Sequence, residues 1–281
     1  MTDIDSVNCP NFRHELLKKV LLTGGSSGIG LAICKLLTQK GYDVIGTARN
    51  PERHSELSFP LIKLDVTSED SIQEAVQLIS ERWGGLDILI NNAGIGFMGP
   101  VAYSKSEHIK KAWETNVFGL MQVTQEFLPL LQKSDSGKII NIGSIGGKMG
   151  LPYRGWYSAA KGSLEILGES LAMELKPFGI DVCTLLPGDV RTEIAASRLE
   201  TKQEDLKEYE ASYMRMKEVL QDEMDQAMPA EKVAVKLEKL LRRKRLPLKY
   251  SVGSFLHKLT PIIKNLTPQR FFQWLILRHY K

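Results

Sequence analysis

The chain has only three cysteines, Cys9, Cys34 and Cys183, too far apart to read as a disulfide framework or a zinc site. The five histidines add no metal-ligand spacing. The expectation is therefore no metal, packing or surface roles for Cys34, Cys183 and the histidines, and a reducing, cytoplasmic setting. Met1 to Lys19 mixes acidic, polar and basic residues and lacks the apolar stretch of a secretory signal. No run reaches the roughly 18 uninterrupted apolar residues of a membrane span. Fixed-period repeats and low-complexity tracts are also missing, which excludes solenoids and fibrous arrays.

What is present is ordinary for a globular chain: 281 residues, 43% hydrophobic and 25% charged, enough to bury one large core. From Lys19 to Leu186, short β-branched or leucine-rich runs alternate with longer helix-period segments. Strands are predicted at Lys19–Leu22, Asp43–Thr47, Leu61–Leu64, Asp87–Asn91, Lys138–Ile142 and Asp181–Leu186. Helices are predicted at Gly30–Gln39, Ser68–Trp83 (opened by a Thr67…Asp70 capping pattern), His108–Leu131 and Trp156–Lys176. Six such strands need helices on both faces, so the expected fold is α/β, a Rossmann-type doubly wound parallel sheet flanked by helices. Past Pro187 the charged, methionine-containing stretch from Glu193 to Met228 is expected to form a helical cap. Its Tyr213-Met214-Arg215-Met216 run is read as packing rather than substrate contact. The expected organisation is an N-terminal extension 1–18, a catalytic domain 19–250 with its cap at about 193–228, and a basic tail 251–281.

Thr23-Gly24-Gly25-Ser26-Ser27-Gly28-Ile29-Gly30 falls between the first strand and the first helix. Glycines there permit a tight turn and let backbone N–H groups approach a pyrophosphate at the positive helix end. Further signals follow in order: Asp65-Val66 after the third strand, Asn91-Asn92-Ala93-Gly94 ending the fourth, Asn116 in the next helix, Ser144 ending the fifth, Tyr157-Ser158-Ala159-Ala160-Lys161 opening a helix, and Pro187-Gly188 with Thr192 after the sixth. Over about Lys19 to Ile194 this series resembles the short-chain dehydrogenase/reductase family, closest to its hydroxysteroid and retinol dehydrogenase branch.

Tyr157 and Lys161 stand four apart on a predicted helix, so their side chains share a face. A phenol of pKa near 10 needs a neighbouring cation before it can exchange protons at neutral pH, and Lys161 can supply that charge. Ser144 can hydrogen-bond a substrate carbonyl oxygen where negative charge grows. The resemblance implies that Asn116 completes the catalytic set through a water relay and that Lys161 also holds ribose hydroxyls. It further implies a cofactor set of Gly24, Ser26, Ser27, Gly28, Ile29, Asp65, Val66, Asn92, Ala93, Gly94, Tyr157, Lys161, Pro187, Gly188, Val190 and Thr192. Asn91 is expected to clamp strands rather than bind.

At the end of the second strand no acid stands near Ala48 to take a ribose 2′-hydroxyl, and Arg49 follows, suited to a 2′-phosphate. The cofactor is therefore expected to be NADP(H). Bulky apolar residues, Met149, Leu151, Tyr153 and Trp156 before or beside the tyrosine and Ile95 and Phe97 after the fourth strand, are expected to line the substrate pocket with Ser144 and part of the Glu193–Met228 cap, free of any arginine cluster aimed at the reacting carbonyl. A hydrophobic ketone, aldehyde or secondary alcohol follows. A non-catalytic dinucleotide sensor or scaffold is the alternative.

Glu231 to Lys281 carries thirteen Lys/Arg against two Asp/Glu, a local +11 in a chain of +4 overall. The region has no interleaved aromatic and arginine platform, so nucleic acid is not expected. A final helix, Gln269 to Tyr280, is expected to place Phe271, Trp274 and Leu275 on one face, for docking on protein or for lying in a membrane interface. A homo-oligomer, dimer or tetramer, is expected from the resemblance.

Overall fold

The computed structural model describes residues 17–192 and 198–280, without the side chains of residues 256–258. The expected N-terminal extension as far as residue 16, with Cys9, and the start of the expected cap at Glu193 lie outside the described residues. Seven strands form one parallel sheet: β1 (Lys19–Leu22), β2 (Asp43–Ala48), β3 (Leu61–Lys63), β4 (Ile88–Asn91), β6 (Lys138–Ile142), β7 (Asp181–Pro187) and β11 (Lys249–Val252). Their order across the sheet is β11-β7-β6-β4-β1-β2-β3. The strand order reverses beside β1, and in open sheets of this kind ligands bind outside the carboxyl ends of the strands at that point.

Strand alternation explains why the sheet is covered on both sides. Val20 and Leu22 point into one core layer with Ile33, Cys34 and Leu37 of α1 (Gly28–Gln39) and Val233, Leu237 and Leu240 of α7 (Ala230–Leu241). Leu21 points the other way, to Ile72 and Ile79 of α2 (Glu69–Trp83) and Phe127 and Leu131 of α4 (Gly119–Leu131). Because neither face meets water, the strands read as continuous apolar runs. Cys34 and Cys183 are buried free thiols in the first layer, whose apolar surroundings push both up from the usual thiol value, Cys183 to about 12.

Three local expectations shift. The cap of α2 is Ser68 rather than Thr67, its hydroxyl accepting from Ser71 N at 3.3 Å. The long helix predicted at His108–Leu131 is instead α3 (Ser106–Trp113), a π turn at Glu114–Phe118 and α4. Single π turns inside helices cluster at functional sites, and this one carries Asn116. The edge strand β11 was not expected. Its Lys-Tyr-Ser-Val sequence lacks an apolar run, yet it pairs with β7 from Thr184 to Pro187. It also crosses position 250.

After β7 the chain is tied down by two short ribbons. Val190–Arg191 (β8) pairs with Met228–Pro229 (β10), and Phe97–Met98 (β5) pairs with Leu199–Glu200 (β9). Between β9 and β10, α6 (Glu210–Asp225) buries Tyr213, Met216 and Leu220 against Met98 and Leu206, while Met214 stays exposed. The last two helices, α8 (Phe255–Leu266) and α9 (Gln269–His279), fold back onto the sheet's carboxyl end. Phe272 is buried against Ile145, Met149 and Leu186, with Leu151, Ile263 and Ile276 alongside. The docked stripe of α9 is thus Phe272 and Ile276, one turn apart, and not the expected Phe271, Trp274 and Leu275 face: Phe271 and Trp274 stay exposed and stack at 5.8 Å. No helix among the described residues is long and apolar enough to cross a membrane.

Candidate active site

The glycine turn leaves β1 with two residues in the left-handed region, Gly24 at φ +70° and Gly28 at φ +52°, where a side chain would be strained. Gly30 is needed for closeness: a Cβ there would stand 2.1 Å from Gly24 O. The turn is held by β4's exit. Asn92 Nδ2 donates to Thr23 O and Gly24 O at 3.0 Å, and Thr23 Oγ1 accepts from Asn92 N and Ala93 N at 3.0 Å. Ser27 caps α1 without using its hydroxyl, and the first turn of α1 contains no acid. A helix start of that kind suits an anion.

Along the same edge, Arg49 is exposed just past β2. Asp65 follows β3, and its Oδ1 takes Thr67 N and Thr67 Oγ1 at 2.9 and 2.8 Å. Val66 is buried in the second core layer. Asn91 ties strands as expected, donating to Asn141 Oδ1 of β6 at 3.0 Å and to Thr124 Oγ1 of α4 at 2.8 Å.

At the ends of β4, β6 and β7 lies a cleft of about 820 Å³, open mouth included. Its wall brings together Ile29, Asn92, Gly94, Asn116, Ser144, Tyr157, Lys161, Pro187, Gly188, Val190 and Thr192 from the expected sets. Gly24, Ser26, Ser27, Gly28, Arg49, Asp65, Val66 and Ala93 are not among its lining residues. Each side chain owes its place to a distinct element. Ser144 starts the turn after β6, its Oγ accepting from Gly146 N at 3.1 Å. Tyr157 and Lys161 rise from the first turns of α5 (Gly155–Leu175). Lys161 Nζ donates to Ile142 O at 2.9 Å, and burial lowers its pKa from 10.5 to about 8. Asn116 is fully buried, its Oδ1 accepting from Ile95 N at 3.0 Å and its Nδ2 donating to Ile95 O at 2.9 Å. The amide therefore locks the segment after β4 to the π turn.

The turn carrying Ser144 is braced from behind. Glu165 of α5, 5% exposed, pairs with Lys148 of that turn and with Lys249 of β11 at 3.2 Å. Lys249 also holds Glu169 at 2.5 Å, which lowers that carboxyl's pKa.

The expected substrate wall needs correction. Ile95 and Phe97 line the cleft, but Met149, Leu151, Tyr153 and Trp156 do not. Met149 and Leu151 are taken up by the C-terminal helices, and Tyr153 by α6, where its hydroxyl bonds Ser212. Trp156 turns away to donate to Val101 O at 3.3 Å. In their place stand Arg154, Arg198 and Met224, with Asp189. The expectation of a wall without an arginine cluster is overturned: the Arg154 guanidinium lies over the Tyr157 ring at 5.4 Å. Arg154 sits three residues before the tyrosine, a spacing that could have flagged it. Arg198 and Met224 come from the stretch expected to contribute part of the wall, but no local signal singles out these two positions. Among the described residues no group of acidic, histidine or cysteine side chains could hold a metal.

The family model for short chain dehydrogenase matches residues 18–203. The chain is 35% identical over 265 residues to the 3-ketodihydrosphingosine reductase of Bacteroides thetaiotaomicron, covering 93% of this chain and 97% of that one. It is 35% identical over 190 residues to an NADPH-dependent 3-dehydrocapnine reductase of Ornithobacterium rhinotracheale, covering 63% and 67%. A solved short-chain dehydrogenase of Streptomyces avermitilis shares the fold with a TM-score of 0.81 at 29% identity, over 95% of this chain and 99% of that one.

Proposed function

As the chain belongs to the short-chain dehydrogenase family and is an oxidoreductase of that fold, we propose that it transfers a hydride between NADP(H) and a lipophilic ketone, aldehyde or secondary alcohol, with Tyr157 as acid/base. The observation that carries the reading is the convergence of Ser144, Tyr157 and a buried Lys161 on one cleft that continues into the glycine-turn edge.

The residues present fit a phosphorylated dinucleotide. The helix start at Gly28 has no side-chain cap and no acid, and Arg49 has no carboxylate partner among the described residues. Gly24, Ser26, Ser27, Gly28 and Ile29 are assigned to its phosphates, Arg49 to the 2′-phosphate, and Asp65 and Val66 to adenine. Asn92, Ala93 and Gly94 take the adenosine ribose. Lys161 and Tyr157 take the nicotinamide ribose, and Pro187, Gly188, Val190 and Thr192 the nicotinamide end. When bound, the dinucleotide supplies or accepts the hydride. The NADPH dependence named for the Ornithobacterium relative supports this choice, and the keto-lipid named for the Bacteroides relative supports a lipophilic substrate.

In this mechanism Ser144 holds the substrate oxygen, and Tyr157 gives that oxygen its proton during reduction or removes it during oxidation. Lys161 stabilises the phenolate, because a cation in a dry site interacts far more strongly than one in water. Asn116 positions the segment that closes over Lys161 and leads its proton toward water. The exposed Phe118, Ile166 and Met173 are assigned to a contact with a second copy. The domain unit is assigned to residues 19–252, with 198–228 as its lid.

Incubation with NADPH and a panel of lipophilic ketones, followed by nicotinamide absorbance, tests the reading. Tyr157→Phe should lower turnover by several orders of magnitude and leave NADPH affinity near wild type. More than a tenth of wild-type turnover in that variant would remove Tyr157 from its role.

A further inference from the structure

Two arginines, Arg154 and Arg198, line the cleft that holds Ser144 and Tyr157. Arg154 lies over the Tyr157 ring at 5.4 Å and reaches within 4.0 Å of where a Cβ on Gly146 would be, two residues after Ser144. Arg198 stands next to β9, its Nη1 donating to Met98 Sδ at 3.6 Å, a weak acceptor. Burial first, then the charge of Arg154, lowers the pKa of Arg198, against the smaller opposing pull of Glu200. Glu200, the nearby carboxylate, is engaged by Lys217 at 2.6 Å. Asp189 also lines the cleft and already has an interaction of its own. Among the described residues, neither arginine has an ion pair. The rest of the substrate wall is apolar: Ile95, Phe97, Ile142 and Met224.

Two partly buried guanidinium groups in a largely apolar wall, neither in an ion pair among the described residues, leave donors that a planar or tetrahedral oxyanion can take up. We propose that Arg154 and Arg198 form an oxyanion-group subsite, selecting substrates that carry a sulfonate, phosphonate or carboxylate within a bond or two of the reacting carbon, on an otherwise apolar chain. The closeness of Arg154 to both Tyr157 and the Ser144 turn sets that short separation. This subsite rests on the reductase reading of the same cleft. It also disfavours substrates with an ammonium at that position.

The test compares a 2-oxoalkane-1-sulfonate with the matching uncharged methyl ketone on the full chain. Equilibrium binding is measured calorimetrically with NADP+ present, so that no reduction occurs. The sulfonate should bind roughly tenfold or more tightly than the neutral ketone, and Arg154→Gln or Arg198→Gln should erase that preference, a loss of about ten- to hundredfold for the sulfonate alone. Equal affinities in the wild type overturn the proposal. So do variants that weaken both ketones alike, or variants that weaken NADP+ itself, which would assign the arginines to the cofactor. Turnover with NADPH is read separately. Sulfonate-selective binding without reduction would overturn the reductase reading and leave the anion subsite standing, whereas reduction without selectivity would do the reverse.

Discussion

Lys161→Met should make the ligand-free protein more stable at neutral pH while abolishing its chemistry. Burial moves the lysine from 10.5 to about 8, so at pH 7 the folded state holds a desolvated charge that the unfolded chain exposes to water. Each pKa unit corresponds to about 1.4 kcal/mol, which sets the penalty at roughly 3 kcal/mol. Methionine has similar length and no charge, but it gives up the 2.9 Å bond to Ile142 O, worth about 1 kcal/mol. The net gain is about 2 kcal/mol, or about 3 °C in Tm for a chain of this size. The sign with pH follows from linkage. Between the folded value near 8 and the unfolded value near 10.4, the native state has lost a proton that the unfolded state keeps, so wild-type stability rises with pH there. The variant's advantage should therefore be full below pH 8, fall to nothing at about pH 9.7 and become a deficit of about 1 kcal/mol by about pH 10.5. Thermal unfolding of both proteins without cofactor, from pH 7 to 10, measures this. A variant less stable than wild type at pH 7, or a gap that does not change with pH, would refute the reasoning.

Cofactor choice is tested by Ala48→Asp combined with Arg49→Ser, which should weaken NADPH about ten- to hundredfold and move preference toward NADH; a wild type that already prefers NADH defeats the assignment of Arg49. The exposed Phe271, Trp274 and Leu277 of α9, beside Arg270 and Arg278, should bind vesicles containing anionic lipid, and Phe271→Ser with Trp274→Ser should release them without disturbing the docked Phe272. Salt-insensitive sedimentation, or equal sedimentation by wild type and variant, removes the membrane contact.

Where sequence and structure agree, the signal was local. The glycine turn, the strands from Lys19 to Leu186 and the four-residue spacing of Tyr157 and Lys161 are set by nearest neighbours and by one period, so they could be read directly. The misses share another cause. Lys249–Val252 became a strand because β7 had a free edge, although its own residues alternate only weakly. Met149 and Leu151 are expected from the sequence to line the substrate pocket, but an apolar side chain does not say whether a substrate or a helix covers it, and here α9 does, through Phe272. The register of α9 was ambiguous for the same reason, since apolar residues surround it and only the surface it meets selects the Phe272 face. Arg198 reaches the cleft through the pairing of β5 with β9, about a hundred residues apart, which no periodicity encodes.

The bonds around Thr23, Gly24 and Asn92 have a kinetic consequence. Two peptide N–H groups, two carbonyls, a hydroxyl and an amide satisfy one another there with no ligand taking part. A glycine turn left to itself samples many shapes, and a dinucleotide arriving at it would have to wait for, or induce, the right one. Here the strand exit at Asn92 makes that selection during folding. Association at this edge should then be limited by encounter, rising linearly with ligand concentration without a plateau, and the discrimination between related ligands should reside in how fast each one leaves.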